Sequence, residues 1–223
     1  MVSPSHFIYQ LVGCNRTQHL GCIAVTSTRE RLLTEAERLF AERGFYGVSI
    51  AAVSNELGLT KQALLHHFGS KEKLYAEVLK RISRRLANLV APAKEKSRSA
   101  DEILVAYLLE IMKNARKEPK QMSLLWRELL DNPQRADTVQ NWLLESFLKE
   151  LIQMLKAVEH WSDVPDHVAL ATIMQFLGAI NYYAVAGPTL QGIFGDNIYS
   201  ALDHEFDNQL EQLICAAISS RAS

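Results

Sequence analysis

Within Thr60-Lys61-Gln62-Ala63-Leu64-Leu65-His66-His67-Phe68, a hydroxyl, an ammonium, an amide and two imidazoles alternate with apolar side chains. At helical spacing Leu64 and Phe68 face inward, and Thr60, Lys61, Gln62, Leu65 and His66 face outward. The chemistry on offer is recognition by hydrogen bonding. The Gln62 amide matches the donor–acceptor pair of adenine N6 and N7, and His66 can donate to or accept from a purine edge. Leu65 or Ala63 offers an apolar contact for a thymine methyl. Ser49 and Lys71 fall at expected helix N-termini, where free N–H groups and the dipole favour a phosphate. His67, beside the inward Phe68, is placed for a contact to the sugar–phosphate backbone. Taken singly, each residue has a plainer role: Ser49, Thr60 and Ser70 are good N-caps, and Lys61 and Lys71 are solvated cations. Adjacent His66 and His67 do not face one site on a helix, and no Cys, Asp or Glu completes a ligand set, so no metal is expected.

The elements that must position these residues are short helices. A first helix is expected over about 27–43, with Leu32, Leu33, Ala36, Leu39 and Phe40 on one face and Gly44 ending it. Phe45-Tyr46 is expected to plug the small core. Ser49 caps a second helix from Ile50 to Leu57, and Leu57-Gly58-Leu59 makes the turn. Thr60 caps a third helix over 61–68. Ser70 caps a fourth, carrying Leu74, Tyr75, Val78, Leu79, Ile82 and Leu86, which Pro92 closes near Val90. A rigid pair of this kind can seat its second helix in a major groove about 12 Å wide.

Charge agrees. Residues 26–90 hold 11 Lys/Arg against 7 Asp/Glu, whereas residues 91–223 hold 12 against 18, so a net charge of −1 conceals a basic module on an acidic body. Cys14, Cys22 and Cys215 have no zinc-site spacing and fit a reducing cytoplasm. No apolar run is read as approaching the ~18 residues that span a bilayer, so no membrane partner is expected. Residues 1–25 are expected to be a disordered extension. Because valine can be encoded by a bacterial start codon, Val25 is a candidate alternative start.

Beyond a polar connection over 93–100, helical periodicity continues over roughly 101–117, 119–131, 136–160, 165–187 and 199–219. The last break is expected to run from Gly187-Pro188 to Gly195. The fold class is all-α. There is no phosphate loop, Gly-rich cofactor turn or nucleophile elbow, so neither an enzyme nor a cofactor is expected.

Residues 28–75 resemble the DNA-binding domain of TetR-family transcriptional regulators. The resemblance is carried by Leu33, Ala36, Leu39 and Phe40, then Arg43-Gly44-Phe45. It continues through Ser49-Ile50, Val53 and Leu57-Gly58-Leu59-Thr60-Lys61 to Leu64-Leu65-His66-His67-Phe68, Ser70-Lys71-Glu72 and Leu74. Members usually carry tyrosine where this chain has Leu65, and often another aromatic at His67; both commonly touch phosphates. The resemblance implies a helix-turn-helix domain over 26–70, a connecting helix over 71–91, and a helical regulatory and dimerisation domain over 92–223.

It also implies a homodimeric repressor that leaves a palindromic double-stranded operator when a small effector binds, with helix four transmitting the signal. The candidate dimer face is Ile173, Phe176, Leu177, Ile180, Phe206, Leu210 and Leu213, with Gly178 and Ala179 allowing close approach; the same stripe would serve equally as intrachain core. Candidate contacts to an apolar or aromatic effector are Met112, Met122, Trp126, Trp142, Phe147, Phe176 and Tyr182. The alternative is a cell-cycle or structural DNA binder whose body recruits a protein.

Overall fold

The computed structural model describes residues 27–91, 94, 99–131 and 145–220. The expected N-terminal extension, most of the 93–100 connection, the first part of the helix expected over 136–160, and Trp142 therefore lie outside the described residues. Every regular element described is helical: α1 (Thr28–Arg43), α2 (Ile50–Glu56), α3 (Lys61–Phe68), α4 (Lys71–Asn88), α5 (Ala100–Lys117), α6 (Pro119–Asp131), α7 (Glu145–Lys156), a 3₁₀ turn (Glu159–Trp161) and α8 (Asp166–Ser219).

The first four helices begin on the side-chain caps that the sequence offers. Ser27, Ser49, Thr60 and Ser70 accept from the N–H groups of Glu30, Ala52, Ala63 and Lys73 at 3.0–3.2 Å. The core of the head is Leu32, Leu33, Ala36, Leu39 and Phe40 of α1, closed by Val53, Leu64 and Phe68. Ser54, fully buried, donates to the Ile50 and Ala51 carbonyls and so leaves no hydroxyl unpaired. Phe45 plugs this core as expected. Tyr46 does not: it is 59% exposed, because its neighbour already fills the gap beneath the loop.

α4 lies along α1 and is laced to it by Arg29–Glu77 at 2.8 Å, Arg81–Thr34 at 2.9 Å and Arg85–Glu37. α6 also grips the head. Arg127 donates to the Ala41 carbonyl (3.1 Å), Lys120 pairs with Glu42 (2.9 Å), and the Tyr75 hydroxyl bonds the buried Glu128 carboxylate (2.9 Å). Helix four is thus not the only physical link between head and body.

α8 departs from expectation. The chain stays helical through Gly187-Pro188 and breaks only at Gly195, whose φ of 78° and ψ of 167° belong to a region that side-chain-bearing residues avoid. Pro188 lies inside the helix, where it removes one N–H from the ladder and crowds the carbonyl one turn before it, without ending the helix. Glycine suits position 187 for a steric reason, since a Cβ there would lie 2.7 Å from the Tyr199 hydroxyl. After Gly195 the second arm folds back: Tyr183 stacks on Phe206 with ring centroids 4.2 Å apart, and its hydroxyl bonds Asp203. Burial, reinforced by that bond, holds the Tyr183 phenol well above its ordinary pKa. Arg116 of α5 bonds the Asp207 carboxylate (2.7 Å) and the Asp203 carbonyl (2.6 Å), clamping the hairpin to the body.

α7 ends at Lys156, earlier than expected. The chain then turns so that Trp161 is buried and its indole N–H meets the Ile218 carbonyl at 3.0 Å. The reading that no segment is long and apolar enough to span a bilayer is also corrected. An 18-residue window of α8 reaches a mean hydropathy of 1.5, yet only 28% of it is buried.

Candidate nucleic-acid interface

α2 and α3 are joined by a turn in which Gly58 takes a φ of 66°. The Leu59 N–H returns to the Ser54 carbonyl at 2.9 Å, fixing one helix against the other. α3 then presents Thr60, Lys61, Gln62, His66 and His67 to solvent, with Ala63 and Leu65 half-buried. Leu64 and Phe68 are buried behind them, so the outward face cannot rotate without exposing the core. The Thr60 hydroxyl accepts the Ala63 N–H as a cap and keeps its own proton to donate. The rings of His66 and His67 are 5.7 Å apart at 62°, diverging rather than converging on one point.

Ser49 is exposed at the start of α2. Lys71 opens α4, but its ammonium lies 4.3 Å from the centroid of the Phe45 ring, and burial holds its pKa below the ordinary lysine value. The side chain is half-exposed and still contributes a cation to this surface. Lys71→Ala should weaken binding to every duplex and reduce the log–log salt slope by about one per chain. An unchanged slope, measured by titration across salt concentrations, would take Lys71 off the phosphate track.

Two residues escaped the sequence reading. Tyr46 stands exposed on the loop before α2, and the Arg29 guanidinium caps the outer side of Phe68 at 4.9 Å while pairing with Glu77. The aromatic pair Phe45-Tyr46 was a visible signal, but nothing in it says which ring faces inward.

The candidate effector residues do not converge. Met112, Met122, Phe147 and Phe176 are core side chains no more than 6% exposed, whereas Trp126 and Tyr182 are 40% and 66% exposed. A half-open cleft of about 530 Å³ lies elsewhere, between α5, the first turn of α6 and both arms of α8. Its walls include Arg116, Lys120, Ser123, Tyr183, Gln191 and Tyr199, and none of the expected effector residues.

The candidate dimer stripe is corrected as well. Ile173, Phe176, Ile180 and Leu210 are 3% exposed or less within the single chain, so they are intrachain core. Leu177 and Phe206 are half-buried, and only Leu213 is open, at 51%. The surface left bare on α8 is instead Met174, Tyr182, Ile193, Phe194, Ile198 and Leu213, each more than half exposed.

Geometry and fold together define an all-helical protein with an N-terminal helix-turn-helix. Residues 32–78 match the model of the bacterial regulatory proteins of the tetR family. Over those residues the chain is similar to that family. The transcriptional repressor AcnR of Corynebacterium glutamicum is 33% identical over 66 residues, which are 30% of this chain and 35% of AcnR. The chain thus spans about a third of that relative's length. A TetR-like transcriptional regulator from Rhodococcus superposes with a TM-score of 0.60 at 22% identity, over 86% of this chain and 96% of that one. FadR of Bacillus subtilis, in complex with stearoyl-CoA, gives 0.60 at 13% identity over 82% and 96%. At these identities the superpositions establish the fold.

Proposed function

We propose that this protein is a sequence-specific, DNA-binding transcriptional regulator of the cytoplasm, acting as a homodimeric repressor that a small effector releases from a palindromic operator. The observation that carries the DNA reading is the outward face of α3, where Lys61, Gln62, His66 and His67 are all exposed on a helix locked from behind by Leu64 and Phe68.

The homodimer is favoured by the bare apolar side of α8. One head alone contacts few phosphates, and two related by a two-fold axis read half-sites about 34–36 Å apart. A membrane would cover the same surface, but the hairpin closed at Gly195 and clamped by Arg116 offers a helical pair suited to a four-helix interface. The effector reading rests on the cleft between α5, α6 and α8. Lys120 lines it and also pairs with Glu42 of the head, so an occupant that favours another position of α6 shifts the head with it. The resemblance to a FadR that holds stearoyl-CoA supports an effector with an apolar portion.

Gln62→Ala tests the reading of bases directly. The variant should lose discrimination at one position of each half-site, at a cost of about 1–3 kcal/mol, and keep its preference elsewhere. An equal loss on all sequences, measured by competition among single-base variants of the site, would show that Gln62 reads nothing.

A further inference from the structure

Among the described residues of the head, Tyr46 is the large hydrophobic side chain that the fold leaves in solvent. It is nevertheless braced from one side. The ring packs edge-on against Phe45, with centroids 5.3 Å apart and planes at 85°. Phe45 is buried and held by Tyr75 at 5.0 Å and Phe40 at 6.2 Å. The Lys71 ammonium rests on the same Phe45 ring. One buried ring therefore seats both a phenol from the loop before α2 and a cation from the first turn of α4. Among the described residues the Tyr46 hydroxyl has no hydrogen-bond partner. Tyrosine loses little rotamer freedom when a bond forms, having only two side-chain torsions, and the contact with Phe45 has restricted them already.

We propose that Tyr46 is an uncharged anchor for the DNA backbone: its O–H donates to a phosphate oxygen flanking the bases read by α3, beside the phosphate that Lys71 attracts. The inference rests on the DNA-binding reading above. It assigns to Tyr46 an effect unlike that of a lysine. A phenol carries no charge and releases no counterion, so it adds affinity without adding to the salt slope. A backbone contact also carries no base information, so the gain is the same on every sequence.

Tyr46→Phe keeps the ring and its contact with Phe45 and removes only the donor. Full-length wild type and variant are titrated, across a range of salt, with the duplex enriched from a random pool and with a scrambled duplex. The expected result is affinity roughly 10-fold weaker on both duplexes, an unchanged slope of log affinity against log salt, and an unchanged thermal transition. Unaltered affinity in Tyr46→Phe overturns the proposal, including the case in which Tyr46→Ala alone binds worse, since the ring then only packs. A loss confined to one base position also overturns it, by making Tyr46 a base reader. If the folded wild type binds neither duplex, the DNA reading fails first and the proposal falls with it.

Discussion

Met174→Asp combined with Tyr182→Asp should leave a folded monomer that has lost most of its operator affinity. Both side chains are more than 60% exposed in the single chain, so replacing them removes little from the protomer's core. Gly178 lies between them, one turn from each along α8, and gives a second helix room to approach. In a two-fold interface each side chain meets the same patch on the partner. Two aspartates per chain then place like charges together where water is excluded, and the association loses its apolar contact as well. Binding by a single head forfeits the gain from linking two half-sites, so operator affinity should fall by roughly 100-fold or more. Sedimentation and operator titration of the same sample check this. A variant that stays dimeric, or a monomer that binds as tightly as wild type, would remove α8 from the interface. A substitution at Leu210 would be uninformative here, because Leu210 is buried within the protomer and its replacement would disturb the fold and the interface together.

Phe40→Ala should cost about 3–5 kcal/mol of stability, the range for removing a fully enclosed aromatic ring. Phe40 is 0% exposed and meets Tyr75 edge-on with centroids 4.9 Å apart. Tyr75 is bonded in turn to Glu128 of α6, so the cavity opens beside the contact that joins head to body. Denaturant midpoints for the two proteins give the cost. A loss below about 1 kcal/mol would mean that the head relaxes around the missing ring, contrary to the close packing described.

The head was the legible part of the sequence because its signals are local. Thr60 and Gly69 bracket α3, and the expected span of 61–68 is the span found. Ser49, Ser70 and Gly44 mark their helix ends in the same way, through side-chain caps and a positive φ that depend on a few adjacent residues. Tyr46 was misplaced because two neighbouring aromatics compete for one gap, and only the three-dimensional fit to Phe40 and Tyr75 admits Phe45. In α8 the difficulty is different. Both sides of the helix are apolar, so periodicity cannot tell Ile173 and Ile180, which pack inward, from Met174 and Tyr182, which do not. Pro188 misled through its usual role as a helix breaker, whereas packing against the second arm carries the helix past it. The cleft was invisible because Arg116, Lys120 and Tyr199 are far apart in sequence and meet only when α8 folds back at Gly195.

Selection of random duplex DNA by the purified, ligand-free protein, followed by sequencing of what is retained, shows whether this chain is a two-fold reader of a specific DNA site. Enrichment of an inverted repeat whose half-sites are centred about one helical turn apart, or a multiple of it, is the expected result. Failure of folded, dimeric protein to enrich any sequence, or enrichment of a site without two-fold symmetry, would contradict it.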